Sequence, residues 1–320
     1  MSFWQKALIK TSAILKAAFG LAVFLCIEYS AVYIIDLLNI DRNIYRGTCN
    51  FIICVLMFAA MFAIHKISSR KKDPLIKLGR LAPGQVVSLV VISLGMLGLV
   101  VTYLAIANKI SEYFQPLDQE ITEYRETVNR FAKTPQKIIP LWDTLLYVFT
   151  LSFLVPLTEE MAFRGVVFGE LIKAFKPWIA VILSAIGFGV MHGLSVHIGY
   201  ALACGLVIAA CYYLTDSLIA PIILHVIFNV FGSALPTLLA VERLGIPKEF
   251  SSGLMVWINT VSTLFMPISV LAMAYLISVK RKKDKEASAL METAVSAETV
   301  QSGDVQDSDP VTAGDSGAEK

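Results

Sequence analysis

The ionisable residues that stand among apolar neighbours in this chain fall into three short motifs. Glu159, Glu160 and Arg164 lie in EEMAFR, Phe188 and His192 in FGVMH, and His225 and Asn229 in HVIFN. A charge inside a membrane costs roughly 3 kcal/mol or more, so those that persist there pair with one another or line a cavity, and they mark functional positions. On a helix, Glu160 and Arg164 stand at i and i+4 in the order that favours an ion pair. That pairing leaves Glu159, about 100° round the helix, free to point elsewhere. A desolvated carboxylate is a suitable general base. Glu159 assisted by His192 therefore has the chemistry to take a proton from water for attack on a peptide carbonyl. His225 and Asn229 share one helix face and can donate hydrogen bonds to the oxyanion that develops. No serine or cysteine stands in a nucleophile motif, so activated water is the economical nucleophile.

Helical hairpins would bring these groups together. If 159–175 and 177–192 pair about a turn near Lys176 and Pro177, Glu159 and His192 each lie about 25 Å from the turn at about 1.5 Å per residue. They then reach one depth. A second turn near Thr215 and Asp216 returns His225 and Asn229 to the same region. Within 142–175, Pro156 is expected to kink or end a helix, with Thr158 capping the next one.

Composition sets the environment. Of 320 residues, 56% are hydrophobic and 16% charged, where a soluble chain carries roughly a quarter charged; the mean hydropathy is +0.68. A soluble enzyme, a nucleic-acid binder and a disordered scaffold are all disfavoured, and a net charge of +2 suggests no polyanionic partner. The expected fold class is all-α, a polytopic integral membrane helix bundle of about eight transmembrane helices. Spans are expected near 12–38, 49–66, 85–107, 177–193, 197–214, 217–235 and 254–279, with 142–175 contributing one crossing or two. The first is read as a retained helix whose Glu28 and Asp36 face other helices or an interface. Four regions follow: 1–141, N-terminal transmembrane helices and a polar connector; 142–235, the core that carries the motifs; 236–283, a C-terminal transmembrane helix with a basic flank; and 284–320, an acidic tail without aromatic residues, expected to be disordered. The five cysteines read as small packing residues. His65 and His197 read as interfacial or structural.

Basic residues orient the spans. Six Lys and Arg lie in 66–80, around Arg70, Lys71 and Lys72, and five in 280–285. Eight crossings would put these clusters and Lys6, Lys10 and Lys16 on one side, with both termini cytoplasmic, in the plasma membrane if the source is bacterial.

The ordered motifs EExxxR, FxxxH and HxxxN on successive hydrophobic segments resemble the CPBP family, the CAAX prenyl proteases and the bacteriocin-processing or self-immunity (Abi) proteins. The resemblance covers about 142–235. It implies a membrane bundle and a glutamate-dependent intramembrane endopeptidase in which Glu159 and His192 activate water. His225 and Asn229 match the oxyanion-stabilising positions, and Glu160, Arg164 and Phe188 support them. The implied partners are membrane lipid and a hydrophobic or prenylated peptide or protein; no cofactor is required. Two alternatives stay open. Glu159, His192 and His225 could supply three ligands to a zinc ion, although no HExxH occurs. The same cavity could also serve a non-proteolytic scaffold or immunity protein.

Overall fold

A computed structural model describes residues 2–69, 74–133, 138–193 and 195–303. Arg70, Lys71 and Lys72, the middle of the first basic cluster, lie outside the described residues, as do 304–320. Nine helices are described: α1 (Phe3–Leu37), α2 (Arg46–Ser68), α3 (Pro83–Ser111), α4 (Gln115–Lys133), α5 (Leu141–Leu171), α6 (Pro177–Val190), α7 (Ser195–Thr215), α8 (Ile219–Leu239) and α9 (Lys248–Gly303). The described residues form no strand; a lone antiparallel bridge joins Leu78 to Ser217. Seven helices are long and apolar enough to cross a membrane, namely all but α4 and the 14-residue α6. The protein is a polytopic helical membrane bundle. Its outer surface exposes Val87, Val256, Leu264 and Val270 among many large apolar side chains, as a surface solvated by lipid tails requires.

α6 is shorter than the expected span. Pro177 opens it, and the chain leaves helical geometry at Gly193, whose φ of +74° is in the left-handed region that glycine adopts freely. A helix of this length covers about 21 Å, against about 30 Å of hydrocarbon. His192 therefore sits just beyond a helix end inside the bundle.

Pro156 does not end a helix. α5 runs on through it, and Thr158 caps nothing: its hydroxyl donates to the Cys54 carbonyl on α2 at 3.3 Å. The chain accommodates the proline by widening. Residues Thr150–Leu154 form a π turn in which the Val155 N–H bonds the Thr150 carbonyl, five residues back. Such a turn relieves the clash that a proline ring makes with the preceding α turn. A second π segment follows the two glutamates, Met161–Phe168, and a third interrupts α8 at Val230–Ala234.

Asp143 near the start of α5 holds the start of α2. Its carboxylate accepts from the Gly47 and Thr48 backbone N–H groups at 2.7 and 2.8 Å and from the Thr48 hydroxyl at 2.6 Å, satisfying donors that a helix N-terminus leaves open. α1 also packs against α5, and Phe24 meets Phe163 edge to face at 5.9 Å. α6 is tied to α5 by the Ser184 hydroxyl, which donates to the Phe163 carbonyl at 3.1 Å. α8 is tied to α3 by Ser93, which donates to the Leu224 carbonyl at 2.9 Å. The connector helix α4 lies against α7 through Tyr124, whose hydroxyl is 3.4 Å from that of Tyr200.

The chain divides into two compact units, Met1–Leu276 and Ile277–Lys320. α9 continues to Gly303, so residues 284–303 are helical where composition suggested a disordered tail. Their Ala, Glu, Lys and Met content favours a helix. All five cysteines are free thiols; four are buried, and Cys26 is exposed.

Candidate active site

Glu160 is the centre of the site. Its side chain and that of Arg164 have no solvent exposure, and Arg164 Nη1 donates to Glu160 Oε1 at 3.0 Å. The guanidinium donates again from Nη2 to the Gly205 carbonyl on α7 at 3.1 Å and lies 4.7 Å from the Phe188 ring centroid. A buried charge needs a partner and further hydrogen bonds, and Arg164 obtains these from three helices.

His225 on α8 reaches the same oxygen: its Nδ1 lies 2.7 Å from Glu160 Oε1. An ionised carboxylate only accepts, so Nδ1 carries the proton and Nε2 is directed elsewhere. It faces Glu159, with 3.7 Å between Nε2 and Oε2. That is longer than a hydrogen bond and short enough for strong electrostatic coupling. Glu159 is 21% exposed at its side chain, so of the two adjacent carboxylates one is locked in the bundle and the other is accessible.

His192 approaches from the end of α6. Its Nδ1 is 2.8 Å from the Phe188 carbonyl. A carbonyl can only accept, so Nδ1 bears the hydrogen and the Nε2 lone pair is left free, the tautomer a proton acceptor needs. The Phe188 ring packs between the two histidines, with centroids 4.6 Å from His192 and 5.9 Å from His225. His197, which the sequence suggested was merely structural, stacks on Tyr200 and stands edge-on to His192 at 4.6 Å.

Asn229 is held by the consequence of Pro156. In the π register the Leu151 carbonyl would accept from residue 156, which has no N–H. Asn229 Nδ2 donates to that carbonyl instead, at 3.0 Å. One amide hydrogen is thus committed to the scaffold, and the rest of the carboxamide is oriented by it.

The three motifs therefore meet through side chains and backbone of α5, α6, α7 and α8. Sequence reasoning missed the Gly205 and Leu151 carbonyls, which have no side-chain signature. It also left open which helix Glu28 faces; Glu28 lies one turn beyond Phe24, which meets Phe163 on α5. Among the described residues, no three His, Cys, Asp or Glu side chains are grouped to hold a metal ion. Glu159, His192 and His225 do not converge as a ligand set, and His225 Nδ1 is already engaged.

Residues 141–231 match the family model described as type II CAAX prenyl endopeptidase Rce1-like. Two curated proteins are also similar to part of this chain. The putative membrane peptidase YdiL of Bacillus subtilis (strain 168) is 27% identical over 123 residues, covering 38% of this chain and 50% of that protein. The membrane-embedded CAAX protease MroQ of Staphylococcus aureus (strain USA300) is 34% identical over 92 residues, covering 27% of this chain and 37% of that protein. The chain thus spans half or less of the length of these relatives. No solved structure matches it. The matched segment holds Glu159, Glu160, Arg164, Phe188, His192, His225 and Asn229, so every motif residue lies in the part of the chain that is similar to the Rce1-like CAAX protease domain.

Proposed function

We propose that this protein is an intramembrane endopeptidase that hydrolyses a peptide bond in a hydrophobic, membrane-associated peptide with water as the nucleophile. The observation that carries the reading is the pair of adjacent glutamates in opposite states. Glu160 is fully buried between Arg164 and His225, while Glu159 is accessible beside the free edge of His225. Glu159 takes a proton from water, and the Nε2 lone pair of His192 assists. The hydroxide adds to the scissile carbonyl, and Glu159 returns the proton to the departing amine. In its imidazolium form His225 has an Nε2–H to give to the oxyanion, and Asn229 supplies the second donor. Removing one such donor typically costs about 10²–10³ in rate. Glu160 and Arg164 act indirectly, by fixing the His225 ring.

The occupant of the site is proposed from the relatives and from the lipid-exposed helices around it: a prenylated CAAX protein or a leader-type peptide presented from the bilayer. If α6 and the residues that follow it complete a crossing, the seven long spans and α6 give an even number, in keeping with both termini on the cytoplasmic side.

The test compares wild type, E159Q and H192A in detergent on a quenched prenylated CAAX peptide and an unprenylated leader-type peptide, with and without a zinc chelator. Cleavage is expected to fall about 10²–10⁴-fold in E159Q and to be indifferent to the chelator; the better peptide identifies the substrate class. Undiminished cleavage in E159Q removes Glu159 from the mechanism. Chelator-sensitive cleavage replaces the glutamyl mechanism by a metal-dependent one. If wild type cleaves neither peptide while E159Q keeps the cellular phenotype, the protein is a scaffold.

A further inference from the structure

We propose that His197, backed by Tyr124 of the connector helix α4, is a positioning residue that holds the His192 ring in the orientation in which it assists Glu159. This rests on the reading of His192 as a proton acceptor for water.

His192 needs such support because it stands beyond the end of its helix. α6 ends at Val190. The His192 N–H bonds the Gly189 carbonyl at 3.1 Å, and the chain then turns away at Gly193, where a side chain would meet only open space. Among the described residues the His192 ring has one hydrogen bond, from Nδ1 to the Phe188 carbonyl at 2.8 Å. One bond fixes one ring atom and leaves the ring free to swing about it, so the direction of Nε2 depends on what the ring packs against. Two aromatic rings meet it, Phe188 at 4.6 Å and His197 at 4.6 Å, the second with its plane at 71°. Phe188 belongs to the helix that His192 has just left. His197 belongs to α7, so its contact ties His192 to a separate part of the bundle.

His197 is itself held by rings from three helices. It stacks on Tyr200, one turn along α7, with centroids 4.8 Å apart and planes at 30°. Tyr124 stands edge-on to both, 6.1 Å from His197 and 6.2 Å from Tyr200, and its hydroxyl meets that of Tyr200 at 3.4 Å. Tyr103 on α3 completes the cluster at 6.2 Å from Tyr200. Gly199 admits it, because a Cβ there would collide with the Tyr103 hydroxyl. α4 docks by the same face: Ile121, one turn before Tyr124, is buried with Ala107 of α3 and Val196 of α7. Stacked and edge-to-face pairs are directional, so the cluster fixes the place of His197 and, through it, the side of His192. Tyr103 and Tyr124 precede residues 141–231. The orientation of a motif histidine therefore depends on helices outside the segment of family similarity.

The experiment uses the full chain reconstituted in lipid vesicles, as wild type, H197A, H197F and Y124A, with the unfolding midpoint of each recorded. The chain has four histidines, so 15N-histidine labelling resolves their ring tautomers by solid-state NMR, with H192A to assign His192. Wild type is expected to show His192 in one form, protonated at Nδ1. H197A frees the ring and mixes the tautomers; kcat falls about tenfold while KM stays within about twofold. H197F keeps a ring in that place and restores the single tautomer and most of the rate. Y124A moves both readouts the same way by less, about threefold in kcat, and carries the test if H197A does not fold. An unchanged tautomer and rate in H197A, or in Y124A where it stands alone, overturn the proposal. So does H197F as slow as H197A with His192 in one form, which gives position 197 a polar role, and so does a change confined to KM, which places His197 in substrate binding. If wild type cleaves neither peptide while the His192 tautomer still depends on the ring at 197, the positioning stands and the peptidase reading falls.

Discussion

Replacing Arg164 by methionine tests whether the buried ion pair is what organises the site. Methionine keeps much of the length of the side chain and removes the charge. The substitution takes Nη1 from Glu160 Oε1 at 3.0 Å, Nη2 from the Gly205 carbonyl at 3.1 Å, and the cation from the face of Phe188 at 4.7 Å. Removing one partner of a buried pair costs roughly 3–5 kcal/mol, chiefly because the other charge is left without compensation. Two features place this pair near the lower figure. His225 still donates to the same Glu160 oxygen at 2.7 Å. The pair is also bonded through one nitrogen and one oxygen only, since Arg164 Nε and Glu160 Oε2 have no hydrogen-bond partner among the described residues. A loss of about 3 kcal/mol is expected, read as a shift of the reversible unfolding midpoint in mixed SDS and dodecyl maltoside micelles. The double variant R164M/E160Q removes the orphaned charge and is expected to recover about 1–2 kcal/mol relative to R164M. Both variants should lower cleavage: R164M frees the Glu160 carboxylate from the guanidinium that fixes it beside His225, and the double variant also removes the charge that His225 faces. The reasoning is refuted if R164M unfolds within about 0.5 kcal/mol of wild type, or if adding E160Q makes R164M less stable.

Two further substitutions probe the helices that carry the motifs. D143A deprives the Gly47 and Thr48 N–H groups of their acceptor and should destabilise the α2–α5 contact by about 2 kcal/mol, seen as a lower unfolding midpoint; a midpoint equal to wild type would show that the cap contributes nothing. P156A restores an N–H at position 156 that competes with Asn229 for the Leu151 carbonyl. Cleavage is expected to fall about tenfold, from a less well-oriented Asn229, while the unfolding midpoint stays equal or rises; full activity would separate Asn229 orientation from the π turn.

Much of the protein was legible in composition and spacing. Apolar runs of span length predicted a helical membrane protein because lipid leaves helices and closed barrels as the structures that satisfy every backbone group internally. EEMAFR, FGVMH and HVIFN identified the positions that meet because intramembrane ionisable groups are costly and therefore informative. The i, i+4 pairing of Glu160 with Arg164 followed from helix geometry alone, and so did the two turns, at Lys176–Pro177 and at Thr215–Asp216, where Asp216 takes a φ of +52°. Local rules failed where a tertiary contact outweighed them. Pro156 reads as a kink or a helix end, and α5 continues because a π turn and the Asn229 amide satisfy the groups it leaves open. Glu28 was visible as a carboxylate in an apolar helix, but nothing local specifies which helix it faces; the contacts of Lys10, Gly20 and Phe24 along α5 decide that. The division of labour between Glu159 and Glu160 likewise depends on Arg164, Gly205 and His225 surrounding one of them. Residue type and spacing along one chain determine which groups can ionise and which helices can form. Which groups share a site depends on inter-helix register, set by steric contacts between residues far apart in sequence, and only the folded bundle decides that.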